Sequence, residues 1–234
     1  VAAAVAGETV SHLLVTHTHL DHSPGALPLQ AKVGGLIAGC APLAPAGDDP
    51  RFEAGFDRAY APDRILADGE AVSGPGWTLA ALHTPGHTSN HLCFALAEEQ
   101  TLFSGDHVMG WSTTVVVPPD GDMAAYLRSL ERLLQRSDRI YRPTHGPAVH
   151  QPQRLVRGLI AHRRQREAQI LQLLGDDGAT IEEMVRQMYA LVNRQLWPAA
   201  GESVRAHLID LERRRLVRSD GARWRALARN SSSG

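Results

Sequence analysis

The 234-residue sequence is short of cysteine, of lysine, of long apolar runs and of net charge, and each shortage removes a class of protein. Two cysteines, Cys40 and Cys93, are too few for a disulfide framework, so a cross-linked secreted scaffold is excluded and a reducing cytoplasm is the expected setting. No run of about 18 apolar residues occurs, so no membrane span is expected. The opening VAAAVAGETV is apolar but lacks a basic start and a full apolar stretch, and it does not read as a signal peptide. Arginine stands almost everywhere that lysine would. A formal net charge of -1, with 43% hydrophobic and 21% charged residues, is ordinary globular composition and demands no polyanionic partner for the chain as a whole.

The balance is uneven along the chain. Residues 1–150 carry nine basic and sixteen acidic side chains, a net of -7, whereas 151–234 carry fifteen and nine, a net of +6. The two parts are expected to do different jobs. In the first, the apolar Leu13, Leu14 and Val15 read as a buried strand, and SPGALPLQAK starts a helix. Residues 40–76 are rich in Pro, Gly and Asp and stay mostly unassigned, CAPLAPAGDDP being the clearest loop. Trp77 to His83 and HLCFALA from 91 read as strands around a tight TPGH turn, and TLFSGD at 101–106 as a strand running into Asp106. A helix is predicted at 123–136, with Met123, Tyr126, Leu127, Leu130, Leu133 and Leu134 at helical spacing, and RIYRPTHG reads as a strand running into His145.

After Pro152 the character changes. RLVRGLIAHRRQREAQILQLLG reads as a long amphipathic helix closed by Gly175, Thr180 and Glu183 form a capping box for a second helix, and SVRAHLIDLERRR at 203–215 gives a third. LVRSDGARWRAL folds as a hairpin at Asp220-Gly221. Three helices and a hairpin are the order of a winged helix at 151–230, with NSSSG making 231–234 a frayed tail. Order alone does not make it a DNA reader. It is expected to pack on the first domain or on a second subunit, as in a homodimer.

The stretch VTHTHLDHSPG crowds His17, His19, Asp21 and His22 into six positions. Alternate residues of a strand share a face, so His17 and His19 can meet one ion, while Asp21 and His22 turn back from the following loop. One ion cannot use all four comfortably, and two adjacent ions are the natural reading. Imidazoles with a carboxylate suit zinc best, with manganese, iron or cobalt compatible, and the lack of cysteine argues against a purely structural zinc.

THTHLDH, HTPGHT, FSGDH and PTHGP stand in the order and rough spacing of the metal motifs of the metallo-β-lactamase superfamily, and the chain resembles that family over residues 11–150. The resemblance implies an α/β protein, an αββα sandwich at 1–150, and two divalent metal ions. One would be held by His17, His19 and His87, the other by Asp21, His22 and His145, with Asp106 bridging. Two such ions share a water and lower its pKa toward neutrality, giving hydroxide as the nucleophile of a hydrolase. Asp21 would pass a proton to the leaving group as well as bind metal. His12, His83, His91, His107, His150, His162 and His207 match no ligand position and are read as structural or supporting.

The resembling di-iron oxygen-reducing proteins carry glutamate where this chain has His19, which favours a hydrolase. Divergent true β-lactamases replace the bridging aspartate, so Asp106 argues against lactam hydrolysis. Two hydrolase branches compete. The metal motifs are similar to those of hydroxyacylglutathione hydrolases, which cleave thioesters but have a different C-terminal segment. SGDHVMGWSTTVVVPPDGDMAAYLRSL, the HRRQRE helix and the winged domain are more similar to the β-lactamase-like 2 branch, which includes endoribonucleases of single-stranded RNA. Single-stranded RNA is thus placed slightly ahead of a thioester or other small ester, with a purely nucleic-acid-binding protein as the non-enzymatic alternative. Arg163, Arg164 and Arg166 on one helix and Arg213, Arg214 and Arg215 on another are the candidate phosphate contacts. Trp111 and Thr113, after the bridging aspartate, are the candidate substrate contacts, Trp111 by stacking a base. The family's sandwich has several strands before the first motif, where this sequence has about ten residues. The expectation is that the natural N-terminus lies further upstream.

Overall fold

The computed structural model describes residues 1–43, 55–175 and 177–227. The expected frayed tail and part of the CAPLAPAGDDP loop lie outside the described residues. A parallel sheet of three strands runs in the order β1 (His12–Val15), β2 (Leu36–Gly39) and β3 (Arg64–Ile65). Helix α1 (Ala26–Val33) connects β1 to β2 and packs on both. A second sheet follows chain order: β4 (Ala71–Gly74), β5 (Trp77–His83), β6 (Leu92–Leu96), β7 (Thr101–Gly105) and β8 (Ile140–Pro143). Its pairs are antiparallel up to β7, and β8 joins parallel to β7 after the crossover helix α2 (Met123–Leu134).

Alternation along the strands builds two cores from one sheet. Ala81, Leu92 and Phe94 point to the three-stranded sheet and meet Val15, Ile37, Ala38 and Leu66. Leu82, Cys93, Ala95, Leu102 and Tyr141 point the other way, onto Met123, Tyr126, Leu130 and Leu133 of α2. The apolar stripe predicted for that helix is therefore its buried face, and Asp122 caps it by accepting from the Ala125 N–H at 2.7 Å.

Helix α3 (Pro152–Leu174) covers the same outer face with Val156, Leu159 and Ile160, completing the αββα layering. Its far half, Ile170 and Leu174, belongs to a third core with α4 (Ile181–Met188), α5 (Trp197–Arg213) and the hairpin β9 (Val217–Ser219) and β10 (Trp224–Ala226). The Thr180–Glu183 capping box is formed in both directions. Among the described residues no helix is long and apolar enough to cross a membrane.

Candidate metal centre

Four separate segments deliver polar side chains to one end of the sandwich. β1 ends at Val15 and passes His17 and His19 into a turn closed by the His22 N–H on the His19 carbonyl, which brings Asp21 and His22 back. The β5–β6 turn supplies His87, the end of β7 supplies Asp106, and the end of β8 supplies His145. Two motif glycines are dictated by this crowding. Gly105 has φ +52°, and a Cβ there would stand 2.5 Å from His91 Nε2; at Gly86 it would stand 2.3 Å from the Tyr126 Cα.

The donor atoms converge. His19 Nδ1 lies 3.1 Å from His17 Nε2 and 3.0 Å from His87 Nε2. His145 Nε2 lies 3.3 Å from both His22 Nε2 and Asp21 Oδ2. Asp106 Oδ2 stands between the two groups, 3.5 Å from His22, 3.6 Å from His145 and 3.7 Å from His87. Three sets of residues could hold an ion, their ligand atoms within 4.8 Å of one another: His17 with His19 and His87, His17 with His22 and Asp106, and Asp21 with His22 and His145. Four ligands at 2.0–2.1 Å from a tetrahedral ion are about 3.3 Å apart, so these separations suit such an ion.

Protonation points the same way. His87 Nδ1–H donates to the Val115 carbonyl at 2.7 Å, which leaves Nε2 as a bare lone pair aimed inward in the neutral ring. Burial, reinforced by His87 and His22, lowers His19 to about 4, and burial with the surrounding imidazoles holds His17 well below the usual histidine range. Burial pushes Asp106 up, but hydrogen bonds from His22 and from the Thr144 hydroxyl outweigh it and keep the carboxyl well below its usual range. Neutral imidazoles around an ionised carboxylate are the form in which these groups bind a cation.

The structure brings all seven sequence-selected metal-ligand candidates together. Trp111 is 71% exposed, and its ring lies parallel to that of His145 with centroids 6.2 Å apart. Thr113 is exposed on the same loop, whereas its neighbour Thr114 is buried and donates to the Asp106 and His107 carbonyls at 2.8 and 3.0 Å. His91 steadies the segment at the end of β7, its Nε2 accepting from the Asp106 N–H at 3.1 Å. Sequence reading missed Thr144, although it precedes His145 in PTHGP, and missed the part played by Thr114.

The basic helices differ from the expectation of a phosphate-binding face. Arg163 is only 3% exposed and points inward. Arg164 pairs with Glu131, Arg213 with Asp122, and Arg214 with Glu167 and Asp210, while Arg166 lies 4.9 Å over the Tyr189 ring. Arg163 is thus committed to packing, while Arg164 and Arg213 keep most of their side chains in solvent beside their acidic partners and Arg215 is exposed.

Residues 1–145 match the model of the metallo-β-lactamase superfamily, and 180–224 match the β-lactamase associated winged helix domain. The chain is 33% identical over 220 residues to a β-lactamase-like protein 2 homolog of Drosophila melanogaster, covering 88% of this chain and 69% of that one. It is 33% identical over 162 residues to an atrochrysone carboxyl ACP thioesterase of Aspergillus fumigatus, 69% of this chain but 46% of the fungal protein. The chain spans about half the length of the fungal thioesterases it matches. A β-lactamase domain protein from Burkholderia ambifaria shares the fold at TM-score 0.79 and 21% identity, over 95% of this chain and 75% of that one. With its four histidine and aspartate motifs gathered at one end of an αββα sandwich, the chain belongs to the metallo-β-lactamase superfamily of hydrolases and carries the winged helix associated with it.

Proposed function

We propose that the protein is a dinuclear metal hydrolase of thioesters or related small esters with an apolar acyl group. The carrying observation is the pairing of the polar cluster with an apolar rim. Trp111 stacks on His145, Val115 gives its carbonyl to His87, Leu20 adjoins Asp21, and all three side chains are exposed. His17, His19 and His87 would hold one ion, Asp21, His22 and His145 the other, and Asp106 both. Zinc fits this donor set best, with manganese or iron compatible. When bound, two such ions supply an activated water and polarise the attacked carbonyl.

The chain's own groups do the rest. The ionised Asp106 and the neutral rings of His17, His19 and His87 leave their donor atoms unprotonated at neutral pH. Asp21, 65% exposed at its side chain, sits at the mouth with Oδ2 3.3 Å from His145 and Oδ1 3.5 Å from His22, where its carboxylate can take a proton from the attacking water and pass it to a leaving thiolate or alkoxide. Trp111 and Thr113 border the path by which substrate reaches it.

Single-stranded RNA is the second reading, favoured by the exposed Trp111 ring as a stacking platform. Against it stand the burial of Arg163 and the pairing of Arg164, Arg213 and Arg214 with carboxylates of the same chain. A direct test offers protein loaded separately with Zn2+, Mn2+ or Fe2+ a series of acyl thioesters of increasing chain length, alongside end-labelled single-stranded RNA. Thioester turnover should rise with acyl length, RNA should stay intact, and Asp106→Ala should lower turnover about 10³-fold. RNA cleavage that Asp106→Ala abolishes, without thioester turnover, would reverse the assignment.

A further inference from the structure

A buried guanidinium is costly to desolvate, and one placed beside a reactive cluster invites the question of what it holds. Arg163 lies in the middle of α3, 3% exposed. One amino group donates to the Thr114 carbonyl, the other to Ser203 Oγ of α5 at 3.1 Å, and the guanidinium lies 5.4 Å from the centroid of the Tyr126 ring of α2. It therefore ties two C-terminal helices to the loop that follows Asp106.

That loop segment is in contact with the candidate centre on its other side. The Thr114 hydroxyl donates to the Asp106 and His107 carbonyls, and the next carbonyl, Val115, accepts from His87 Nδ1 at 2.7 Å. Of two adjacent peptide units, the first is thus gripped by Arg163 through the Thr114 carbonyl and the second orients His87 through the Val115 carbonyl. A carbonyl that fixes a ligand's tautomer acts only if it is itself fixed, and the fork of Arg163 is well suited to fixing it.

We propose that Arg163 is a positioning residue of the metal centre: through Thr114 and Val115 it sets the tautomer and aim of His87, so that ion affinity depends on α3 and α5 being docked. The inference rests on the metal-hydrolase reading for its functional consequence, but not for its structural one. Arg163 touches neither substrate nor ion. Its side chain is also withdrawn from the nucleic-acid role suggested by the HRRQRE sequence.

The test compares wild type, Arg163→Met and Arg163→Lys. Folding is followed by circular dichroism, Zn2+ affinity by competition with a chromophoric chelator, and the imidazole N–H signals by NMR of the metal-free protein. In folded Arg163→Met the hydrogen-bonded His87 Nδ1–H signal should weaken or exchange faster, and the tighter Zn2+ step should lose about tenfold, the low end for residues that orient a ligand. Arg163→Lys keeps the charge but not the fork, so an intermediate loss of about threefold is expected, and it decides the matter if the Met variant does not fold. An unchanged His87 signal with Zn2+ affinities within twofold of wild type, in a folded Met variant or failing that in the Lys variant, overturns the proposal. If wild type itself binds no Zn2+ at this cluster, the metal-hydrolase reading fails separately, and the His87 signal alone still judges the contact made through Arg163.

Discussion

The two ends of the chain use charge in opposite ways. Residues 1–150, with net -7, bury imidazoles and a carboxylate so that their donor atoms converge without partners of opposite charge. Residues 151–234, with net +6, engage many of their guanidiniums inside the molecule, three of them across to the first part: Arg164 with Glu131, Arg213 with Asp122, and Arg163 with the Thr114 carbonyl. The basic segment is thus held partly to the acidic segment and partly to its own carboxylates, as in Arg214 with Glu167 and Asp210 and Arg223 with Glu183. A segment's net charge reports an excess and does not report whether that excess faces solvent.

This contrast can be sharpened where the acidic half has least room. Gly105→Ala should cost about 3 kcal/mol, from the positive φ and the clash with His91, and should weaken metal binding by displacing Asp106. Denaturant unfolding and a Zn2+ titration would check both, and a Gly105→Ala variant as stable as wild type would refute the described packing.

The basic half offers a pH test. Burial, with Arg163 and His162 beside it, lowers His207 to about 3, against 6.5 for an unhindered histidine. The folded state then stays unprotonated while the unfolded chain takes up a proton, so this contribution to stability is complete above pH 6.5 and falls as pH drops toward 3. At pH 5 the loss from this residue is about 2 kcal/mol. Urea unfolding at several pH values should show a shallower decline for His207→Leu; an identical slope would mean that His207 protonates freely.

The smallest effect expected is at the cross-domain surface pairs. Arg164→Ala and Arg213→Ala should each change stability by less than about 1 kcal/mol, because exposed ion pairs contribute little, and should leave turnover of a small substrate unchanged. A large loss of RNA cleavage in either variant would instead reveal these side chains as phosphate contacts and break the comparison.

The candidate site was more legible than the fold around it. The crowding of His17, His19, Asp21 and His22 into one string announces itself, and the resemblance of HTPGHT, FSGDH and PTHGP to the superfamily's motifs implied His87, Asp106 and His145. The capping box at Thr180 and the stripe of α2 were equally readable, being local patterns. Strands β2, β3 and β4 were not, since runs of four, two and four residues set among glycines have too little periodicity to register. Arg163 was visible as an arginine but misjudged in role. Its bond to Thr114 spans 49 residues of sequence, and nothing local distinguishes a guanidinium that turns inward from one that faces water.

Helix α3 has a consequence for how such proteins can be recombined. At 23 residues it is about 34 Å long, and it presents Val156, Leu159 and Ile160 to one core and Ile170 and Leu174 to another. The sequence changes character at Pro152, yet a chimera joined there would pair an inherited sandwich with a foreign cover. Exchange of winged modules between relatives has to cross inside or beyond this helix, where both halves can keep the neighbours they were selected with.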